Sequence, residues 1–172
     1  MNLVLADELN IVRAKYIEVI ENTPDIKKHA RWVYGQHPTD MLLQSYIDNH
    51  ELYLLMDGDI TAGMVALVMH QGKDYEAVDW TKQLANDDVA TLHLLAVCPD
   101  YRGRGLADTI IDESIAISKA NGKKSLRLDT LKTNLPAQHI YEKYGFKYRG
   151  TQHLYAKNTG WTDFLFYEYD LE

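Results

Sequence analysis

The chain of 172 residues contains a single cysteine, Cys98. One thiol excludes an internal disulfide and any cysteine-rich zinc site, and it favours a cytoplasmic setting. No apolar run approaches the ~20 residues needed to cross a membrane. No charged, apolar and small-residue leader opens the chain. Basic charge is not in excess either: 18 Lys and Arg face 25 Asp and Glu, a net charge of −7. That balance argues against nucleic acid as a partner and is mildly compatible with a cationic or amine-bearing one. Neither an internal repeat nor a low-complexity segment is visible. What is present is ordinary globular composition, 46% apolar and 25% charged, in a length that reads as one domain over residues 1–172.

Periodicity then orders the chain. Asn2 to Ala6 reads as a strand, and Asp7 is placed to cap a helix running to about Glu21, with Leu9, Val12, Tyr16 and Ile20 on one stripe. Asn22-Thr23-Pro24 breaks it, and residues 24–38 are mixed, with Trp32, Tyr34 and His37 crowded together. Thr39 caps a second helix to about Asn49. Glu51 to Met56 and Ile60 to His70 read as strands around the Asp57-Gly58 hairpin signal. Residues 71–88, which include Tyr75, Asp79 and Trp80, show no period and read as a loop or short helical excursion. Val89 to Val97 is the next strand, followed by a helix with Leu106, Ile110, Ile111 and Ile117 on one face and a stop at Asn121-Gly122. Ser125 to Thr130 is a strand with Leu126 and Leu128 inward, and Lys147 to Tyr155 and Trp161 to Tyr169 read as terminal paired strands.

The junction of the Leu92 to Val97 run with the helix beginning at Leu106 is Arg102-Gly103-Arg104-Gly105-Leu106-Ala107. A strand that breaks into a Gly-rich turn and re-forms as a helix aims unpaired N–H groups at one point, where the positive end of the helix dipole also lies. Phosphate oxygens suit such a site, and two arginines in the turn offer charge-assisted donors. A nucleoside-triphosphate loop is excluded, because Gly105 is not followed by Lys and a hydroxyl residue. A dinucleotide loop fits poorly, because Asp108 stands where its third glycine belongs.

Arg102, Gly105 and Ala107, in the spacing Arg-x-x-Gly-x-Ala after Leu94 to Tyr101, resemble the coenzyme A pyrophosphate loop of the GCN5-related N-acetyltransferase (GNAT) superfamily. Asn134, Ala137, Tyr141, Gly145 and Phe146 resemble that family's Asn-x-x-Ala-x-x-x-Tyr-x-x-x-Gly-Phe helix. The segment is also sound helix grammar, with Asn134 as cap, Pro136 in the first turn and Gly145 as the left-handed stop. Asn134, Ala137 and Tyr141 share one face. The resemblance implies an α/β fold with a mixed, mostly antiparallel sheet of about seven strands and about four helices. Two central strands of that sheet would splay to admit acetyl-CoA.

It further implies that the backbone of Leu95, Ala96 and Val97 meets the thioester and pantetheine arm, and that the turn from Arg102 through Gly103, Arg104, Gly105 and Leu106 to Ala107 holds the pyrophosphate. Asn134 and Ala137 would contact the cosubstrate from the helix, and Tyr141 would be the general acid. His93, two residues before Leu95, is the candidate base, its imidazole suited to accept a proton directly or through water. Some family members that act on arylalkylamines carry two histidines in this run, and here Thr91 replaces the earlier one. His93 also has a plain reading as a hydrogen-bonded strand residue, and Cys98 reads as an incidental thiol rather than a nucleophile.

Trp32, Tyr34, His37, Asp79 and Trp80 are candidates for the acceptor pocket; His37-Pro38-Thr39 and Asp79-Trp80 resemble segments of bacterial family members. The same aromatics also suit a core or the surface of a homodimer. The leading expectation is an acetyl-CoA-dependent N-acetyltransferase acting on a small-molecule or peptide amine, with no metal. A non-catalytic acyl-CoA-binding sensor, and an acyltransferase with a longer donor or a hydroxyl acceptor, stay open.

Overall fold

The computed structural model describes residues 1–172. The chain folds as β1 (Asn2–Leu5), α1 (Leu9–Glu21), a single-turn α2 (Ile26–His29), α3 (Asp40–Asp48), β2 (Leu52–Asp57), β3 (Ile60–Val68), β4 (Val89–Val97), α4 (Leu106–Ala120), β5 (Ser125–Leu131), α5 (Leu135–Tyr144), β6 (Lys147–Ala156) and β7 (Gly160–Asp170). One seven-stranded sheet runs in the order β1-β2-β3-β4-β5-β7-β6. Every neighbouring pair is antiparallel except β4 and β5. The short α2 is the one helix beyond the four that the residue pattern suggests.

Local chemistry accounts for the ends of these elements. Thr39 Oγ1 accepts from Leu42 N at 3.1 Å and starts α3, and Asn134 Oδ1 accepts from Ala137 N at 3.3 Å and starts α5. Asp7 does not cap α1: Glu8 holds the cap position and its side chain makes no cap bond. The buried stripe of α1 is Val12, Tyr16 and Val19, with Ile20 only partly covered. The irregular 71–88 segment makes two single 3₁₀ turns, Lys73–Tyr75 and Asn86–Asp88.

Strand β3 is buried at every position after Ile60, so both of its faces are covered; a half-exposed strand would alternate. Leu52, Leu55, Met64, Leu67, Leu92, Ile110 and Ile111 lie fully inside the main core. Each such side chain contributes about 1.5–3 kcal/mol by leaving water. Packing is tightest at Gly63, where a Cβ would stand 2.8 Å from Ile110 Cδ1 and 2.9 Å from the Ala96 carbonyl oxygen. No helix is long and apolar enough to cross a membrane.

Strand β4 has two irregularities, and the first opens the sheet. Its pairing with β5 runs only from Val89 and Ser125 to Thr91 and Arg127, although β4 continues to Val97 and β5 to Leu131. Beyond Thr91 the two strands part, which is the splay that the resemblance implies. On its other edge, β4 pairs Ala96 with Met64 but His93 with Ala66, so one extra residue is taken up between them. Leu94 sits in that bulge with φ 52°, a left-handed conformation that costs a non-glycine residue about 1–2 kcal/mol. Tyr16 of α1 holds it: the buried hydroxyl donates to Leu94 O at 2.7 Å.

Candidate active site

The opening between β4 and β5 continues into two adjoining cavities. The larger, about 450 Å³, runs from the start of α2 past Leu95, Ala96 and Val97 to the turn at Arg102–Ala107 and the face of α5. The smaller, about 250 Å³, lies over His93 and Leu94 on β4 and Asp129 and Leu131 on β5. Ala30, Trp32, Leu95, Asn134, Ala137 and Tyr141 line both, so they form the wall where the two meet.

At the far end of the larger cavity, the N–H groups of Gly103, Arg104, Gly105, Leu106 and Ala107 have no hydrogen-bond partner in the chain. Gly103 and Gly105 both adopt φ +73°, and nothing lies within 4 Å of where a Cβ would stand on either. A left-handed backbone turns successive N–H groups to one side, and the missing side chains leave room for a ligand against them. Anionic oxygens would satisfy these donors, so the turn fits a pyrophosphate. The arginine side chains are engaged elsewhere. Arg102 Nη1 donates to Asn22 O at 2.7 Å and Nη2 to Thr23 Oγ1 at 2.5 Å. Arg104 Nη2 donates to Asp100 O at 2.9 Å, and its guanidinium lies 4.9 Å over the Tyr101 ring. Arg102 thus pins the turn to the carbonyl end of α1, where a cation is favoured. The unpaired donors of the turn are backbone N–H groups.

Tyr141 is 8% exposed, its ring packed edge-on to Phe146 at 5.6 Å. Its hydroxyl bonds to nothing in the chain, yet it is not sealed from solvent, so it opens into the shared wall of the cavities. Burial, with the nearby Asp129 charge adding to it, pushes the phenol well above its ordinary range. The side chain is therefore protonated at neutral pH.

His93 is half-buried between aromatic rings, stacked on Tyr46 with centroids 6.5 Å apart and edge-on to Tyr75 at 6.4 Å. The Thr91 hydroxyl donates to His70 O at 2.9 Å and lies 3.2 Å from His93 Nε2. Its one proton is committed, so it accepts from Nε2–H and leaves the Nδ1 lone pair free. Burial holds the imidazole below its ordinary pKa, which favours the neutral form that can accept a proton. His37, also in the smaller cavity, is depressed by burial too.

The acceptor candidates divide. Trp32 and His37 line the cleft. Tyr34 does not; it donates to Asp40 Oδ1 at 2.6 Å in a surface group with Arg13. Trp80 is buried in a satellite cluster with Tyr75, Val78 and Phe166, and the Asp79 carbonyl receives the Arg149 guanidinium. Cys98 is buried against Met64, its thiol pushed up by burial, and lines neither cavity. Asp129, Tyr46 and Tyr75 were missed by the residue pattern. Asp129 left one trace: it shares the strand face of Arg127, opposite Leu126 and Leu128, so charged residues alternate with core residues there.

Comparison with known proteins agrees with this architecture. The family model described as "Acetyltransferase (GNAT) family" matches residues 18–146. An acetyltransferase of the GNAT family from Streptococcus agalactiae superposes with a TM-score of 0.75, covering 99% of this chain and 95% of that one at 22% identity. An acetyltransferase from Bacillus subtilis, solved in complex with CoA, superposes with a TM-score of 0.64 over 99% of both chains at 16% identity. In sequence, the mycothiol acetyltransferase of Corynebacterium glutamicum is 26% identical over 108 residues, 63% of this chain and 37% of its own length. The chain spans between 30% and 50% of the length of the curated relatives it matches. With the family model matched over most of its length and the sheet opened between β4 and β5, this chain belongs to the GNAT acetyltransferase family.

Proposed function

We propose that this chain is one catalytic domain that uses acetyl-CoA to acetylate a primary amine of a small molecule or peptide, by direct attack. The observation that carries the reading is the unbonded Tyr141 hydroxyl on the wall shared by the two cavities. Acetyl-CoA supplies an activated acetyl thioester; Gly103 to Ala107 would hold its pyrophosphate, and Leu95 to Val97 would line its path. The names of the curated relatives, which include an N-alpha-acetyltransferase and a streptothricin acetyltransferase, support amine-directed chemistry.

The residues divide the proton work. Neutral His93 offers Nδ1 to take a proton from the attacking amine, directly or through water. Tyr141 keeps a proton on Oη beside the place where a thiolate would leave, and can donate it there. The walls position both reactants, which lowers the entropic part of the barrier.

Thiol release from acetyl-CoA across a panel of amines, with Tyr141→Phe alongside, tests this. The expected result is acceptor-dependent release that falls at least roughly tenfold in the variant, a loss of ~1.4 kcal/mol in transition-state stabilisation. His93→Ala should lose the acidic limb of the pH–rate profile. Thermal stabilisation by coenzyme A without turnover of any amine would favour a binding module instead, and no stabilisation at all would refute both.

A further inference from the structure

The acceptor end of the cleft contains one carboxylate to which the reading above gives no task. Thr91 and Arg127 are the last paired residues of β4 and β5. Two residues further along each strand come His93 and Asp129, on the same face as that last pair and on opposite lips of the opening. Tyr75 stands in the fork between them. Its hydroxyl donates to Asp129 Oδ1 at 2.5 Å, and its ring meets the His93 ring edge-on.

Tyr75 is itself locked. It stacks on Trp80 with centroids 5.9 Å apart and meets Phe166 edge-on at 5.2 Å. Trp80 Nε1 donates to the Tyr75 carbonyl at 2.7 Å. Below them the fully buried Arg127 lies 4.1 Å from the Trp80 ring centroid and bonds Gln71 Oε1 and Lys82 O. The 71–82 segment is therefore stitched to β5 near both of its ends, and that holds Tyr75 in the fork.

One oxygen of Asp129 is then fixed and the other is spare. Oδ2 has no hydrogen-bond partner in the chain and is not sealed from solvent, so it opens into the smaller cavity. No Lys or Arg lines that cavity, and burial favours the neutral form of its two histidines, His37 and His93. A half-buried carboxylate without a cation in its own chain can pair with a cation that a ligand brings.

We propose that Asp129, with its orientation set by Tyr75, receives the ammonium group of the acceptor and thereby selects cationic amines and rejects those with a carboxylate on the same carbon. The apolar body of such an acceptor has Trp32, Tyr46 and Phe164 to pack against. Free α-amino acids would place their own carboxylate against Asp129, a like-charge contact within the cavity. Peptide N-termini, side-chain amines and decarboxylated amines would not. Asp129 is thus a specificity residue and Tyr75 a positioning residue; this rests on the N-acetyltransferase reading.

The test compares the best amine acceptor of the panel with its α-carboxylate counterpart, and adds the N-trimethyl analogue of the amine as a probe that binds without reacting. The amine should exceed the amino acid at least tenfold in kcat/KM. Asp129→Asn should raise the KM for the amine at least tenfold and collapse that preference, while the KM for acetyl-CoA stays within twofold. Asp129→Glu should recover part of the loss. Tyr75→Phe, which keeps the ring, should raise the amine KM severalfold with a smaller change in kcat. An unchanged amine KM in Asp129→Asn, or an amino acid used as well as its amine, overturns the inference and leaves the acetyltransferase reading standing. If no amine is turned over, that reading falls. Binding of the trimethylammonium probe, lost in Asp129→Asn, would still support the cation site, and no binding to the unaltered protein would remove it.

Discussion

Replacing Tyr16 with phenylalanine would remove one oxygen from the core and leave the ring, including its edge-on contact with Trp32 at 5.8 Å. The lost oxygen is the donor to Leu94 O, in the left-handed bulge immediately before Leu95, Ala96 and Val97. A buried carbonyl left without its donor costs about 1–3 kcal/mol. The bulge also stores its own strain of about 1–2 kcal/mol, which is maintained only while its surroundings enforce it. Relaxation of Leu94 would recover some of the first cost by giving up the second, at the expense of the register that aims Leu95 to Val97 into the cleft. The expected loss of stability is therefore about 1–3 kcal/mol. For a chain of this length that is roughly 3 °C in Tm per kcal/mol. Denaturant unfolding measures the first quantity. The thermal shift produced by saturating coenzyme A measures the second consequence, and it should shrink relative to the unaltered protein. A stability change under about 0.5 kcal/mol, with an unaltered coenzyme A shift, would refute the reasoning: the hydroxyl would then not be what holds the bulge.

Two further outcomes follow from the same geometry. Gly63→Ala would push a methyl to 2.9 Å from the Ala96 carbonyl oxygen, which is backbone and cannot swing aside as Ile110 Cδ1 can. It should cost about 1–3 kcal/mol in denaturant unfolding. Shortening Ile110 to valine should not restore it, and full recovery by that second change would show the clash to be with the side chain alone. Stability should also depend on His37 and His93, whose pKa values in the folded chain lie below the ordinary ~6.5. Below that value the unfolded chain binds protons that the folded one excludes, so stability is complete above pH ~6.5 and declines as pH falls through and below it. Denaturant midpoints at pH 7.5 and 5.5 should differ. His93→Gln and His37→Gln should each reduce that difference, and an unchanged difference in both would count against burial as the cause.

The left-handed turn at Gly103 and Gly105 and the α5 helix were legible in the residue pattern because their signals lie within a few residues of one another. Gly103 and Gly105 permit the left-handed turn, Asn134 caps, and Gly145 stops the helix with φ +116°. Tyr141 follows from its spacing along that helix. Side-chain tasks were less legible. Arg102 carries the charge expected of a phosphate ligand, but its partner lies at the end of α1, about eighty positions away. Trp80, offered by the pattern for the acceptor, packs instead on Arg127 beneath the sheet's open fork. Thr91, its own proton committed to His70 O, accepts from Nε2–H and holds His93 in one tautomer.

By itself the sequence determined where an anionic ligand can meet bare N–H groups, since the direction of those groups follows from the φ and ψ of adjacent residues. The opposite end of the cleft was decided by tertiary structure. His93, Asp129 and Tyr75 lie on three separate segments, and they meet because β4 and β5 pair only as far as Thr91 and Arg127 and then part. Strand order and the length of a ladder depend on contacts across the whole chain. No local spacing encodes which carboxylate stands at the fork.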